Sequence, residues 1–189
     1  MIRELDIHIN YNKLLECFNR LDVTNLLDTE IRQLSVQHRG IDVADQLFDG
    51  CGSLLLDWKK YNPQIHTEIP KREKPISELD FTVVCDYFKD SYIQEIVNIL
   101  REKYNVHRGR FMKMSPKTCL TTHKDNSHRI HIPVITNNDC FMVISDRVYK
   151  MECGKIYLAN TKLPHTAVNS GIKDRYHLVF CTTHDFYKN

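Results

Sequence analysis

A chain of 189 residues with 42% hydrophobic content can bury one substantial core but not two, so a single domain spanning residues 1–189 is expected. Its 26 basic and 24 acidic residues leave a formal net charge of +2, too small a field to draw in nucleic acid or an anionic membrane surface. Seven cysteines without a CxxC pair argue against a zinc knuckle and a disulfide framework, and no stretch approaches a secretory h-region or a membrane span, so a soluble, cytoplasmic protein is expected.

The first half reads as helical with irregular connections. In "YNKLLECFNRL" the residues Leu14, Leu15, Phe18 and Leu21 share one helical face. Trp58 in "LLLDWKKY" follows Leu54, Leu55 and Leu56 and reads as packing, with a lid as the alternative. The stretch "YNPQIHTEIPKREKPISELD" carries three prolines and several charges and reads as an extended surface connection. Its "HTE" pair, His66 and Glu68, has no third ligand nearby and reads as surface. Then "SYIQEIVNILREKY" repeats the helical spacing with Ile93, Ile96, Val97, Leu100 and Tyr104, and Ser91 followed by Gln94 predicts a capping box.

From Arg108 the period changes to that of strands. "RGRFMKM", "CLTTH", "RIHIPVIT", "CFMVIS", "VYKM", "KIYLAN", "HTAV" and "RYHLVFCTT" are short candidate strands separated by turn residues. The fold expected is mainly β within the α+β class. Residues 108–183 form a double-stranded β-helix of the jelly-roll or cupin type, and residues 1–107 brace it.

Candidate chemistry collects in "TTHKDNSHRIHIPVIT". His123 and Asp125 are two apart, so in an extended chain they face the same way, one imidazole and one carboxylate able to share a metal. HxD alone is common by chance, and two exposed polar residues at a strand end would look the same. His165, forty residues beyond Asp125 and just after Pro164, can supply a third ligand. Two imidazoles and a carboxylate with open positions are the arrangement of non-heme Fe(II) oxygenases. Where such iron takes 2-oxoglutarate as co-substrate, the far carboxylate needs a fixed cation. Arg175, beyond the "NSGIKD" turn, suits that role if a hairpin sets His165 opposite His177, leaving Arg175 offset from His165 by roughly 7 Å along the ladder. Its guanidinium can grip a carboxylate bidentately. Arg129 and His131 share one face of their strand and Ile130, Ile132 and Val134 the other. Either face could be the inward one.

The ordered set "HKD", "RIHIPV", "LPHTAVNSG" and "DRYHLVF" resembles the aspartyl/asparaginyl β-hydroxylase family of Fe(II)- and 2-oxoglutarate-dependent oxygenases, over roughly residues 108–183. The resemblance implies that His123, Asp125 and His165 bind iron and that Arg175 holds the distal carboxylate of 2-oxoglutarate, with Arg129 and His131 also contacting the co-substrate. It implies hydroxylation of a C–H bond with dioxygen, giving succinate and carbon dioxide. Some animal members have glycine where this chain has Asp125; the complete triad resembles bacterial members similar to free-proline hydroxylases. The substrate expected is an amino acid or a peptide or protein side chain, and the oligomeric state is open.

Other polar residues have structural readings. His177 reads as an inward histidine satisfied by a neighbour, His128 as a loop residue, and Cys119 as a small buried hydrophobe. Two other functions share the fold: a cupin-like metal or small-molecule binding module without turnover, and a nucleic-acid demethylase, which the near-neutral charge does not favour.

Overall fold

The computed structural model describes residues 1–187 apart from 41, 42, 44, 58, 59, 61, 63 and 66, so the readings of Trp58 and His66 lie outside the described residues. The eight strands expected from the second half are all present. They are β5 (Val106–Met114), β6 (Thr118–Cys119), β7 (His128–Ile135), β8 (Cys140–Ile144), β9 (Arg147–Tyr149), β10 (Tyr157–Ala159), β11 (His165–Asn169) and β12 (Arg175–Thr182). The first half contributes β1 (Ile2–Glu4), α1 (Tyr11–Arg20), α2 (Val23–Leu26), β2 (Gln33–Ser35), β3 (Gln37–His38), β4 (Val83–Val84) and α3 (Tyr92–Tyr104).

Among the described residues the strands form a six-stranded sheet ordered β1-β10-β7-β12-β5-β2, a four-stranded sheet ordered β6-β11-β8-β9, and a β3-β4 pair. The pairings within these sheets are antiparallel. From β5 to β12 the chain passes back and forth between the large and small sheets, which is the double-stranded β-helix. Two expectations change here. The first half does more than brace, because β1 and β2 are the edge strands of the large sheet. The ladder setting His165 opposite His177 does not form: β11 pairs with β6 and β8, whereas β12 pairs with β5 and β7. The "NSGIKD" turn carries the chain between sheets, so its flanking strands face each other across the barrel.

Both faces of the large sheet are buried, for different reasons. Alternation sends Phe111, Ile130, Ile132, Val134, Leu178 and Phe180 outward into a core shared with Leu14 and Phe18 of α1 and Ile93, Ile96, Val97 and Leu100 of α3. Phe18 sets its ring edge-on to Phe111 and Tyr176, each 5.5 Å away between centroids. The opposite face carries Arg110, Arg129, His131 and Arg175 toward the barrel interior.

The helices start by different devices. Asn10 caps α1 by accepting from the Lys13 backbone N–H at 3.1 Å. The box expected at Ser91 is absent: its hydroxyl donates to the Phe88 carbonyl, and Gln94 accepts from the Asp90 N–H instead. No helix of the described residues is long and apolar enough to cross a membrane. His128 is a buried strand residue against Phe186, and Cys119, on the two-residue edge strand β6, is exposed.

Because Phe18 is fully buried between the helices and the large sheet, Phe18→Ala should cost about 3–5 kcal/mol of stability, measurable as a lower denaturant midpoint at unchanged slope.

Candidate metal centre

His123 and His165 are locked to each other through the backbone. Their N–H and C=O groups pair reciprocally at 3.0 and 2.9 Å, forming an isolated bridge beyond the end of β6. Each ring is then oriented by its own chain: Nδ1 of His123 lies 2.7 Å from the Thr121 carbonyl, and Nδ1 of His165 lies 3.0 Å from that of Leu163. A carbonyl can only accept, so Nδ1 carries the proton and Nε2 presents its lone pair. Asp125 is set between them, with Oδ1 3.8 Å from His123 Nε2 and Oδ2 3.7 Å from His165 Nε2. One ligand atom from each of the three lies within 4.8 Å of the others. The loop is held by the Asp125 N–H, which donates to the Thr161 carbonyl, and by the Thr161 hydroxyl, which donates to that of Ser127. His165 is buried while His123 is 42% exposed, so the cluster opens on one side.

Burial, partly offset by the Leu163 carbonyl and Asp125, lowers the pKa of His165 and keeps the ring neutral, the form that ligates. Two imidazoles and one carboxylate fit a divalent first-row metal with open coordination positions.

Arg129, on β7, faces the interior as one reading of the alternation expected, but protein acceptors surround it. Its Nε lies 3.2 Å from Asp125 Oδ2, its Nη2 donates to Glu78 Oε1 at 2.7 Å, and its Nη1 reaches Glu78 Oε2 and Ser127. Glu78 also accepts from Arg108 at 2.9 Å and from the Ser127 hydroxyl at 2.6 Å. Burial works to raise the Glu78 carboxyl, but Arg129, Ser127 and Arg108 outweigh it and hold its pKa at about 2.

Glu78 and Arg108 escaped the sequence reading. "SELD" does contain a signal: Leu79 N–H donates to the Ser77 hydroxyl oxygen and Ser77 N–H to Asp80, a capping box on the 3-10 turn Glu78–Asp80. The supposed surface connection therefore ends in a rigid turn that aims Glu78 into the barrel. In "RGR" an extra residue in β5 shifts its register against β12 between Val179 and Cys181. Arg108 there adopts a left-handed φ of 51°, and Phe180 leaves no room for a side chain on Gly109. The bulge lets Arg108 and Arg110 line the same cavity.

Arg175 is the unsatisfied group. It is 5% exposed, and among the described residues it has no hydrogen bond or ion pair, with Nε enclosed and unpaired. Desolvation pulls its pKa down to about 10, so it remains charged. A buried guanidinium without a partner costs several kcal/mol, which an anion in the cavity would recover. His131 and His177 lie beside it, ring centroids 5.8 Å apart, and among the described residues all four ring nitrogens lack partners, so none of these residues satisfies His177. Burial first, then Arg175, pushes both far below the ordinary histidine range. Arg110 donates to Gln33 at 2.9 Å and leaves Nε unpaired. His123, Asp125, His165, Arg129, His131, Arg110 and Arg175 all line one cavity of about 820 Å³, closed on another side by Leu54, Leu55, Ile76 and Glu78 of the first half.

A double-stranded β-helix whose cavity brings two imidazoles and a carboxylate together with a buried arginine unpaired among the described residues is a candidate site for a metal and an anionic small molecule. Residues 87–185, more than half of the chain, match the family model described as aspartyl/asparaginyl beta-hydroxylase, and the chain belongs to that family. It is 27% identical over 94 residues to L-proline cis-4-hydroxylase of Rhizobium meliloti (strain 1021), covering 47% of this chain and 34% of that protein. The chain thus spans about a third of the length of that curated relative. Among solved structures it is similar to an oxidoreductase of the 2OG-Fe(II) oxygenase family from Burkholderia pseudomallei, with TM-score 0.42, 13% identity and coverage of 49% of this chain and 58% of that one. It is also similar to a cupin domain from Bordetella pertussis Tohama I, with TM-score 0.36, 10% identity and coverage of 40% and 80%.

The depressed pKa of Glu78 implies stabilisation that is present above its ordinary value of 4.5 and is lost as pH falls toward about 2. Unfolding measured from pH 7 down to 2 should show Glu78→Gln less stable than the parent by about 2–3 kcal/mol at neutral pH, with the gap closing across that acid window.

Proposed function

We propose that this chain is an Fe(II)- and 2-oxoglutarate-dependent dioxygenase that hydroxylates an unactivated C–H bond of an amino acid or peptidyl side chain. The observation that carries the reading is one cavity holding both the His123, Asp125 and His165 cluster and the unpaired Arg175, in a member of this family. His123 and His165 would hold iron through Nε2 and Asp125 through a carboxylate oxygen. Arg175 would take the distal carboxylate of 2-oxoglutarate, with His131 and Arg129 lining the space beside it. When bound, the metal and co-substrate supply activation of dioxygen, one oxygen atom ending in succinate beside released carbon dioxide and the other in the product hydroxyl.

The remaining tasks fall to the protein. The carbonyls of Thr121 and Leu163 keep the histidine lone pairs aimed at one point. Arg129 steadies Asp125. His131, neutral and with both ring nitrogens free, can donate one hydrogen bond and accept another inside a site that excludes water. Arg110 is a second guanidinium without a carboxylate partner, which favours a substrate bearing an anionic group. The bacterial relative is named for proline hydroxylation, which agrees with an amino-acid substrate.

The test is 2-oxoglutarate turnover, followed as succinate with and without candidate amino acids and peptides. His165→Ala should abolish iron-dependent succinate formation while leaving the circular dichroism spectrum unchanged; unaltered turnover would remove His165 from the metal site. Arg175→Lys should raise the KM for 2-oxoglutarate roughly tenfold or more with little effect on metal affinity, because an ammonium cannot replace the bidentate grip. An unchanged KM would place the co-substrate carboxylate on another cation.

A further inference from the structure

We infer that Glu78, outside the residues matched by the family model, is a positioning residue for the metal centre, acting through Arg129 on Asp125. The inference rests on the reading of His123, Asp125 and His165 as metal ligands.

The geometry is a chain of charge-assisted contacts. Glu78 meets both terminal nitrogens of Arg129, Nη2 to Oε1 at 2.7 Å and Nη1 to Oε2 at 3.3 Å. With that edge of the guanidinium engaged, Nε faces Asp125 and lies 3.2 Å from Oδ2. A guanidinium is planar and rigid, so fixing two of its nitrogens fixes the third. Asp125 is thereby held through one oxygen, with Oδ1 turned toward His123.

Glu78 is itself immobilised. The Ser77 and Asp80 capping box sets its turn, and the Ser127 hydroxyl donates to Oε2. Arg108 donates to Oε1 at 2.9 Å and also to the carbonyls of Gly50 and Gly52, at 3.0 and 2.7 Å, tying residues 50–52 and 78 to one point of β5.

Charge works in the same direction as geometry. Arg108 and Arg129 are both buried beside a site that must accept a divalent cation. Glu78 places a negative charge between them; without it, Arg108 would lose its carboxylate and Arg129 would be left with Asp125 alone, drawing on the charge that the metal needs.

The experiment is a titration of the full chain with Co(II), read from the visible absorption of the bound ion, on the parent, Glu78→Gln, Glu78→Asp, Arg129→Gln and the Glu78→Gln/Arg129→Gln double variant, each checked for folding by circular dichroism. Glu78→Gln should weaken Co(II) binding about tenfold or more and alter the absorption band, as loss of a group supporting a metal ligand does. Glu78→Asp, with its charge retained, should fold and fall in between. If Glu78 acts through Arg129, the double variant should bind little worse than Arg129→Gln alone. Parent-like affinity and spectrum in both folded Glu78 variants would overturn the inference, as would additive losses in the double variant. Failure of the parent to take up Co(II) would overturn the metal-site reading and this inference with it, so the two failures are distinguishable.

Discussion

Four arginines are buried in the barrel, and among the described residues lining its cavity the carboxylates are Glu78 and Asp125. That imbalance is the constraint on which the rest of the structure turns. Buried charge must be paired or it penalises the fold. Glu78 answers Arg108 and Arg129 together, and Asp125 adds to Arg129. Arg110 and Arg175 are left to be answered by something that enters. The stability given up to keep them there would be recovered on binding an anion, which is the preparation that the proposed dicarboxylate co-substrate and an anionic substrate would need.

The barrel also shows how alternation is divided between stability and chemistry. Along β7 and β12, Ile130, Ile132, Val134, Leu178 and Phe180 join the core shared with α1 and α3, while Arg129, His131, Arg175 and Val179 line the cavity. The first half does more than cover. It closes the edges of the large sheet with β1 and β2, supplies part of the cavity wall, and sends Glu78 to the arginine beside a proposed metal ligand.

Much of this was legible in the sequence, and the failures have physical causes. The eight strands could be read because turn residues punctuate a period of two. The HxD pair, the later histidine and the distant arginine could be read because few side chains make that set chemically useful. The register between His165 and Arg175 was misread because a short turn suggests a hairpin, whereas a jelly-roll connection can send the chain to the opposite sheet. For Arg129 the alternation left either face open and the family resemblance implied contact with the co-substrate; its pairing with Glu78 could not be read, since nothing near it in the chain announces a partner fifty-one residues earlier. The pattern "SELD" marked a capped turn without saying where it pointed. Cys119 was expected to be a small buried hydrophobe because nothing around it marks a reactive thiol, but it sits on a two-residue edge strand and is exposed.

One cavity is proposed to hold a metal and an anionic keto acid together. An anaerobic titration of the purified apoprotein with Fe(II), followed by 2-oxoglutarate, tests it most directly through the weak visible charge-transfer band of a keto acid chelated to iron. A saturable band is expected, and it should be absent from the His123→Ala protein. Bound iron with no band at saturating 2-oxoglutarate would contradict it and leave a metal-binding module whose arginines serve another ligand.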